Sequence, residues 1–296
     1  MFISNRYRKP FFPCSIDPNW WGRNRGIKLA YAMNEGGGTT LQRLAGTPNG
    51  TITANQSSIV WTPNSVGGRQ GPHLSFNGAS AISGNCSIDD GVTNLITGGG
   101  TGGSVTFTIS AWVWLNGFAN QSYPTIAQFR SDALTNEGFF LKFSNQATFN
   151  GISWGTGTGL AAGAFNHFYT NTTAKTGQWV HVCLTANGAQ SGIGTYTCYE
   201  NGIALTTNVS GAWATLINAS LIGCAETAAN TYYLWDGYIE QFLLFNQTLT
   251  AEEVKRLYME PWHWAAPVKR KIIAGVPVLP VSIEPDPYII YPTWRW

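Results

Sequence analysis

The sequence predicts an all-β protein, a sandwich or jelly roll with one short helix and an extended arm at each end. Three observations predict it. Several runs alternate with a period of two, turn residues punctuate the chain between them, and helical periodicity is almost absent. Composition agrees. The 296 residues include 34 Gly and 14% aromatics, which suits tight turns and aromatic-rich strands, and only 11% are charged, against roughly 25% in an average soluble domain. A helical bundle is excluded, and so is a typical cytosolic metabolic enzyme, whose helices carry more Glu and Lys.

Each element has its own signal. In Val105-Thr-Phe-Thr-Ile-Ser-Ala-Trp-Val-Trp-Leu115, the residues Val105, Phe107, Ile109, Ala111, Val113 and Leu115 share one face, and Thr106, Thr108, Ser110, Trp112 and Trp114 the other. Gly177-Gln-Trp-Val-His-Val-Cys-Leu-Thr185 repeats the pattern. Gly194-Thr-Tyr-Thr-Cys-Tyr-Glu200 runs into Asn201-Gly202, a hairpin signal because both turn residues take positive φ. Asp236 to Asn246 reads as another strand, with shorter ones at Phe139-Phe-Leu-Lys-Phe143 and Ser220-Leu-Ile-Gly-Cys224. Thr250-Ala-Glu-Glu253 is a capping box, with Leu249 and Val254 placed as a hydrophobic staple. That helix runs to about Tyr258 and stops near Pro261.

The ends differ from the middle. Residues 1–26 contain Phe11, Phe12, Trp20 and Trp21. Residues 261–296 contain Pro261, Pro267, Pro277, Pro280, Pro285, Pro287 and Pro292, which exclude a central strand or helix over most of the segment, yet also Trp262, Trp264, Trp294 and Trp296. Such apolar, extended arms are costly to leave in water at roughly 25 cal/mol per Å². The surface they cover is the chain's own domain or a neighbouring subunit; burial of much of it against other subunits, in a homo-oligomer with a trimer among the options, is the expectation. The domains are therefore 1–26, an N-terminal arm; 27–260, the sandwich; and 261–296, a proline-rich C-terminal arm.

Twelve of the 17 basic residues lie in 1–28 and 251–296, leaving five basic against nine acidic residues in 29–250. The excess at the ends is too dilute to argue for nucleic acid. No apolar run reaches the ~18 residues of a membrane span, and no apolar stretch follows Arg6, Arg8 and Lys9 to suggest a signal peptide. None of the five cysteines has metal spacing, and the odd count argues against a disulfide framework. Cys183 and Cys198 read as small core hydrophobes, with a bridge between them the alternative. The eight Asn-x-Ser/Thr sequons, Asn49, Asn171 and Asn246 among them, read as by-products of Asn/Thr-rich loops.

The order of motifs resembles a family. Ile27-Lys-Leu-Ala-Tyr-Ala-Met-Asn-Glu-Gly-Gly-Gly38, Leu74-Ser-Phe-Asn-Gly78, Phe107-Thr-Ile-Ser-Ala-Trp-Val113, Gln178-Trp-Val-His-Val182, Tyr199-Glu-Asn-Gly202 and Asp236-Gly-Tyr-Ile-Glu240, followed by Leu249 to Val254 with Leu257-Tyr258, stand in the order of a known module. They are similar to the laminin-G-like, concanavalin A-like lectin/glucanase module in the form common in bacterial and bacteriophage proteins. The resemblance covers residues 27–260 and implies two apposed antiparallel sheets in a jelly roll. It leaves both arms unexplained. Two departures concern calcium, which some members bind: Leu41-Gln-Arg-Leu44 lacks the usual acid, and Glu240 stands where Asp is common.

The candidate chemistry is sparse. No E-x-D-x-x-E run supplies the paired carboxylates of a glycosidase, Asp89-Asp90 sits in a loop, and Glu252-Glu253 belongs to the cap. His181 reads as a packed strand residue, and Gly98 to Gly103 lacks the Lys-Ser/Thr of a phosphate loop. Trp112 and Trp179 read as core. Trp154, Trp213 and Tyr232 are the loop aromatics that could stack on sugar rings. For a metal, Glu35, Asn77 and Glu240 could converge if the first and last strands lie side by side, giving a weak calcium site. Ordinary strand-end acids are the alternative. The expected function is a non-enzymatic virion structural protein on the virion surface (capsid decoration, head fibre or tail-associated) that displays a lectin-like sandwich, with host glycans as its candidate ligands. The alternative is a carbohydrate-binding module of a bacterial surface or secreted protein.

Overall fold

The computed structural model describes residues 15–266, apart from 18, 46–49, 54–58, 70–71, 79–84, 88–103, 119–122, 131–137, 147–148, 158–164, 190–193, 211–218, 224, 227–230 and 233. In chain order the strands are β1 (Ser15–Ile16), β2 (Ile27–Tyr31), β3 (Thr40–Leu41), β4 (Gly50–Thr53), β5 (Ile59–Thr62), β6 (His73–Phe76), β7 (Asn85–Ser87), β8 (Ser104–Leu115), β9 (Thr125–Arg130) and β10 (Gly138–Gln146). They continue as β11 (Phe149–Gly157), β12 (Phe165–Tyr169), β13 (Trp179–Ala189), β14 (Gly194–Glu200), β15 (Ile203–Ser210), β16 (Ala219–Ile222), β17 (Ala225–Glu226), β18 (Thr231–Tyr232), β19 (Gly237–Phe245) and β20 (Ala265–Ala266). The helix α1 is Ala251–Met259.

Two antiparallel sheets form the sandwich. One, the β10 sheet, runs β12-β11-β10-β9-β16-β7-β4-β3. The other, the β13 sheet, runs β15-β14-β13-β8-β19-β6-β5, with β2 also on β19. The predicted alternation in β8 holds: Phe107, Ile109, Ala111, Val113 and Leu115 are fully buried in the inter-sheet core. They meet Phe129, Phe139, Leu141 and Phe143 of the opposing sheet, and the Phe107 and Phe139 rings pack edge to face at 5.2 Å. Each such side chain contributes about 1.5–3 kcal/mol by burial. Asn201 and Gly202 turn β14 into β15 with φ of 51° and 76°, as the dipeptide predicts.

Two bulges set which side chains face out. Between β9 and β10 the register passes from Leu141↔Ala127 to Lys142↔Thr125, leaving Ile126 as the extra residue. Thr125 thereby joins the outward face with Lys142. In β19 the register jumps between Glu240 and Leu243, and Gln241 takes φ 53° there. Tyr238 and Glu240 point outward before that bulge, and Leu243 and Phe245 after it.

A second apolar cluster lies outside the sandwich, on the outer face of the β13 sheet. Leu243, Phe245, Cys183 and Tyr199 meet Leu249, Val254 and Leu257 of the helix segment, together with Trp20, Trp262 and Trp264. The helix is capped as predicted: the Thr250 hydroxyl accepts from the Glu253 amide at 3.3 Å, and the Glu253 carboxylate accepts from the Thr250 amide at 2.9 Å. Arg25 pairs with the same Glu253 at 2.5 Å.

This cluster corrects the reading of the arms. Trp20, Trp262 and Trp264 are 2%, 6% and 1% exposed, and Trp21 is half-buried against the same cluster. All four pack on the chain's own sheet and helix segment. β1 pairs with β20, so the two arm stems are joined to each other. Phe11, Phe12, Trp294 and Trp296 lie outside the described residues. Trp112 is buried, as a core ring should be, but on the outer face of the β13 sheet against Tyr258; Trp179 is half-buried on that same face, which corrects its core reading. Cys183 and Cys198 are both free and buried. Cys183 stands opposite Tyr199 and Cys198 opposite Leu184, and the two thiols belong to clusters on opposite faces, which excludes a bridge. Burial pushes both thiols up, an inert state.

Candidate functional site

The outward face of the β10 sheet gathers polar and aromatic groups in two adjacent cross-strand rows. Tyr169, Ser153, Lys142 and Thr125 form one row, and Phe140, Gln128 and Leu221 the next. Alternation explains the set, because their neighbours Phe139, Leu141, Ile152 and Trp154 point into the core. Lys142, Phe140, Gln128, Ser153 and Leu221 form a buried floor, and Tyr123 and Tyr169 a half-buried rim. The Lys142 ammonium lies 4.2 Å from the centre of the Tyr123 ring and 4.3 Å from that of Phe140. Both rings present their negative faces to the cation. Burial lowers the Lys142 amine from 10.5 to about 8. The Tyr169 phenol is pushed up to about 12, chiefly by burial and then by Tyr123, with a hydrogen bond to Ser153 acting the other way.

The β13 sheet carries a different arrangement. Arg69 Nε donates to Glu240 Oε2 at 2.7 Å, and His73 Nδ1 lies 3.0 Å from Glu240 Oε1. The other His73 nitrogen lies 3.1 Å from the Arg69 carbonyl oxygen. The Arg69 guanidinium sits over Trp112 at 4.2 Å and reaches Trp179 at 5.3 Å. The Trp179 indole donates to the Val66 carbonyl at 2.7 Å, and the Val66–Arg69 turn lies close on the sheet. Gly67 is required there, because with φ 53° any side chain would drive into the Trp114 ring. Beside this cluster, Ser110 Oγ and His181 Nε2 are 2.9 Å apart, fully inside the protein. Burial first, then Arg69, lowers the His181 imidazole to about 3, so it stays neutral. Arg69, Glu240, His73 and Trp179 together hold the 66–69 turn on the sheet.

The sequence candidates fall into three groups. Trp154 is corrected: it lies mid-strand in β11, is fully buried and packs on Phe168, so it offers no ring to a sugar. Trp213 lies outside the described residues, and Tyr232 is described only as part of β18, paired with β17. The proposed calcium donors are not a metal set. Glu240 is taken by Arg69 and His73, and the guanidinium would repel a divalent ion. Glu35 Oε1 accepts from the Gln42 amide at 2.8 Å, and Asn77 is exposed. No group of three or more His, Cys, Asp or Glu among the described residues could hold a metal. Glu35, Asn77 and Glu240 therefore do not fit calcium.

Sequence reading missed Lys142, Tyr123, Phe140, Gln128 and Tyr169. One signal was available: Lys142 is a lone charge inside Phe139-Phe-Leu-Lys-Phe143, a costly place for a cation without a purpose.

The family model "Concanavalin A-like lectin/glucanases superfamily" matches residues 88–255. The structure is similar to domain 4 of AbnA, a GH43 extracellular arabinanase from Geobacillus stearothermophilus, solved in complex with arabinotriose. That match has 16% identity, 79% of this chain, 98% of the other and a TM-score of 0.55. It is also similar to the receptor-binding domain of botulinum neurotoxin type G, at 17% identity over 79% of this chain and 51% of that one, TM-score 0.51. The binding domain of Paraclostridial mosquitocidal protein 1 matches at 14% identity over 79% and 52%, TM-score 0.51. The chain thus spans about half the length of the two toxin domains. At these identities the likeness is one of fold. No curated protein sequence matches the chain.

Proposed function

The chain belongs to the concanavalin A-like lectin/glucanase superfamily, and from that premise we propose that it is a non-enzymatic carbohydrate-binding module whose sugar site is the outward face of the β10 sheet. The observation that carries this is the half-buried rim of Tyr123 and Tyr169 above a floor that contains Lys142, Gln128 and Ser153. Rings match the apolar faces of sugars, and the polar groups match hydroxyls, which is the mixture that small-molecule sites use. The arabinanase domain, solved with arabinotriose, supports the reading by analogy of fold.

Binding is favoured over hydrolysis, although the superfamily also includes glycosidases. A retaining glycosidase needs two carboxyls about 5 Å apart. The strands of the β10 sheet contain no Asp or Glu. In the β13 sheet Glu200 pairs with Lys175 and Glu240 with Arg69 and His73. A glycan array tests the proposal. The protein should retain at least one oligosaccharide, and Tyr123→Ala should weaken that binding by about 1–2 kcal/mol, roughly tenfold. An array without signal would reject it.

A display role on a virion surface, as a homo-oligomer, is the finer reading. What supports it is the composition of 267–296, apolar and proline-rich beyond the docked stem. A bacterial surface or extracellular location is the alternative. Among the described residues no helix is long and apolar enough to cross a membrane. Light scattering of the full chain and of a chain cut after Ala266 tests assembly: equal monomeric masses would reject it.

A further inference from the structure

We propose that β15 is an interaction edge whose partner is β15 of a second copy of this chain, paired antiparallel to give a two-fold dimer with one sheet running through both molecules. The inference is independent of the carbohydrate-binding reading and of the terminal arms.

The sheet edges are the first support. Four strands end the two sheets, β3 and β12 in one and β15 and β5 in the other. β3 has two residues, β5 four and β12 five, whereas β15 has eight. Among the described strands β15 pairs with β14 alone. An edge strand carries a row of N–H and C=O groups aimed away from the sheet, which is a template for another strand. Proteins guard such an edge by shortness, by Lys or by Pro. Three of the edges here are short. β15 is long, and Ile203-Ala-Leu-Thr-Thr-Asn-Val-Ser210 has neither a charged residue nor a proline. Its bulge is at Leu205, near the hairpin turn, and from Thr206 to Ser210 the register with β14 is continuous. That stretch is regular backbone for a second strand to meet.

Exposed apolar groups are the second support. Ile203, the first residue of β15, is 67% exposed, and Met259 is 44% exposed. Met259 follows Tyr258 on the helix, and Tyr258 and Lys255 pack against Gly202 of the same hairpin. Two of the three large hydrophobics that stand exposed among the described residues therefore lie at this end of β15. A second chain laid along the strand can cover them.

The strand itself points to its partner. Among the described strands, the match in length and lack of charge for this open edge is β15. Antiparallel pairing of a strand with its own copy is two-fold symmetric and closes at two molecules, with about eight hydrogen bonds across the pair. Because β15 is uncharged, the two copies meet without like-charge repulsion. Val60, the third exposed hydrophobic, lies on β5 at the opposite edge of the same sheet. Pairing of β15 with β5 of another copy is heterologous, builds rings or open chains, and matches only four residues.

Sedimentation velocity and hydrogen exchange of the full chain test the pairing. The wild type should reach the mass of two chains and no more. Thr207→Lys places a like charge on both copies at the paired edge and should raise the dissociation constant about tenfold or more. Compared at one concentration, amides of 203–210 should exchange faster in this variant than in the wild type, with those of β5 unchanged. Ile203→Lys makes the same change at a position already open to solvent, and it carries the test if Thr207→Lys disturbs the fold. Melting curves of both verify folding. A wild-type mass of one chain up to the highest concentration, association beyond two copies, or a dimer unchanged in the folded lysine variants overturns the proposal. So does faster exchange that spares 203–210.

Discussion

The Lys142 ammonium on β10 is centred 4.2 Å from the Tyr123 ring, on a face where its cross-strand neighbours are Ser153 and Thr125. A cation buried this way lowers stability, and that makes its presence measurable. The amine is at about 8 in the folded chain and near 10.5 in the unfolded one. Between those values the unfolded state holds a proton that the folded state has released. Stability therefore rises as pH climbs from about 8 to 10.5, and the penalty is fully present below 8. Lys142→Met should raise stability at pH 7, by on the order of 3 kcal/mol at most, and should remove the alkaline rise. Urea titrations at pH 7, 9 and 10.5 measure both. A less stable variant would contradict the assignment.

Glu240 is the partner of Arg69 and His73, and not a metal ligand. Glu240→Ala leaves the partly buried Arg69 guanidinium without this anion and should cost about 3 kcal/mol. Melting of the wild-type protein should be unchanged by a divalent-ion chelator, and the Glu240→Ala loss should be the same with and without it. A chelator-dependent melting temperature would revive the calcium reading.

His181 should sensitise the fold to acid. Its imidazole is at about 3 when folded and near 6.5 when unfolded. The unfolded chain gains a proton below 6.5 that the folded chain refuses. The stability tied to the neutral ring is complete above 6.5 and is lost as pH falls from 6.5 toward 3. His181→Gln keeps a hydrogen-bonding group for Ser110 but cannot charge, so its urea midpoint should drop less between pH 7 and 4 than that of the wild type. Parallel curves would contradict this.

The tryptophans of the arm stems should behave as core residues. Trp264 is 1% exposed against the helix-covered face, so Trp264→Ala should cost about 3–5 kcal/mol in thermal or urea unfolding of the monomer. A loss confined to oligomer stability would show that the ring serves assembly instead.

These residues also show how far the sequence could be read. Local rules were sufficient for β8, whose alternation places Phe107, Ile109 and Val113 in the core, and for the Thr250–Glu253 cap. Motif order was sufficient for the sandwich. Trp154 was misread because Gly151 and Gly155 around it look like loop, whereas period-two alternation in β11 buries it. The stems of the arms were misassigned because apolar composition demands a surface without saying whose. The sites were least legible. Arg69 and Glu240 are 171 positions apart, and the row from Tyr169 to Thr125 exists only once four strands pair, with the Ile126 bulge shifting Thr125 onto the same face.

The central claim is that sugar binds on the outward face of the β10 sheet. Amide chemical-shift mapping of ¹⁵N-labelled protein, titrated with the tightest oligosaccharide from the array, tests it most directly. The account predicts saturable shifts concentrated at Gln128, Phe140, Lys142, Ser153 and Tyr169, with the Arg69–Trp112–Trp179 face of the other sheet unmoved. Shifts concentrated on that second face, with β9, β10 and β11 silent, would contradict it.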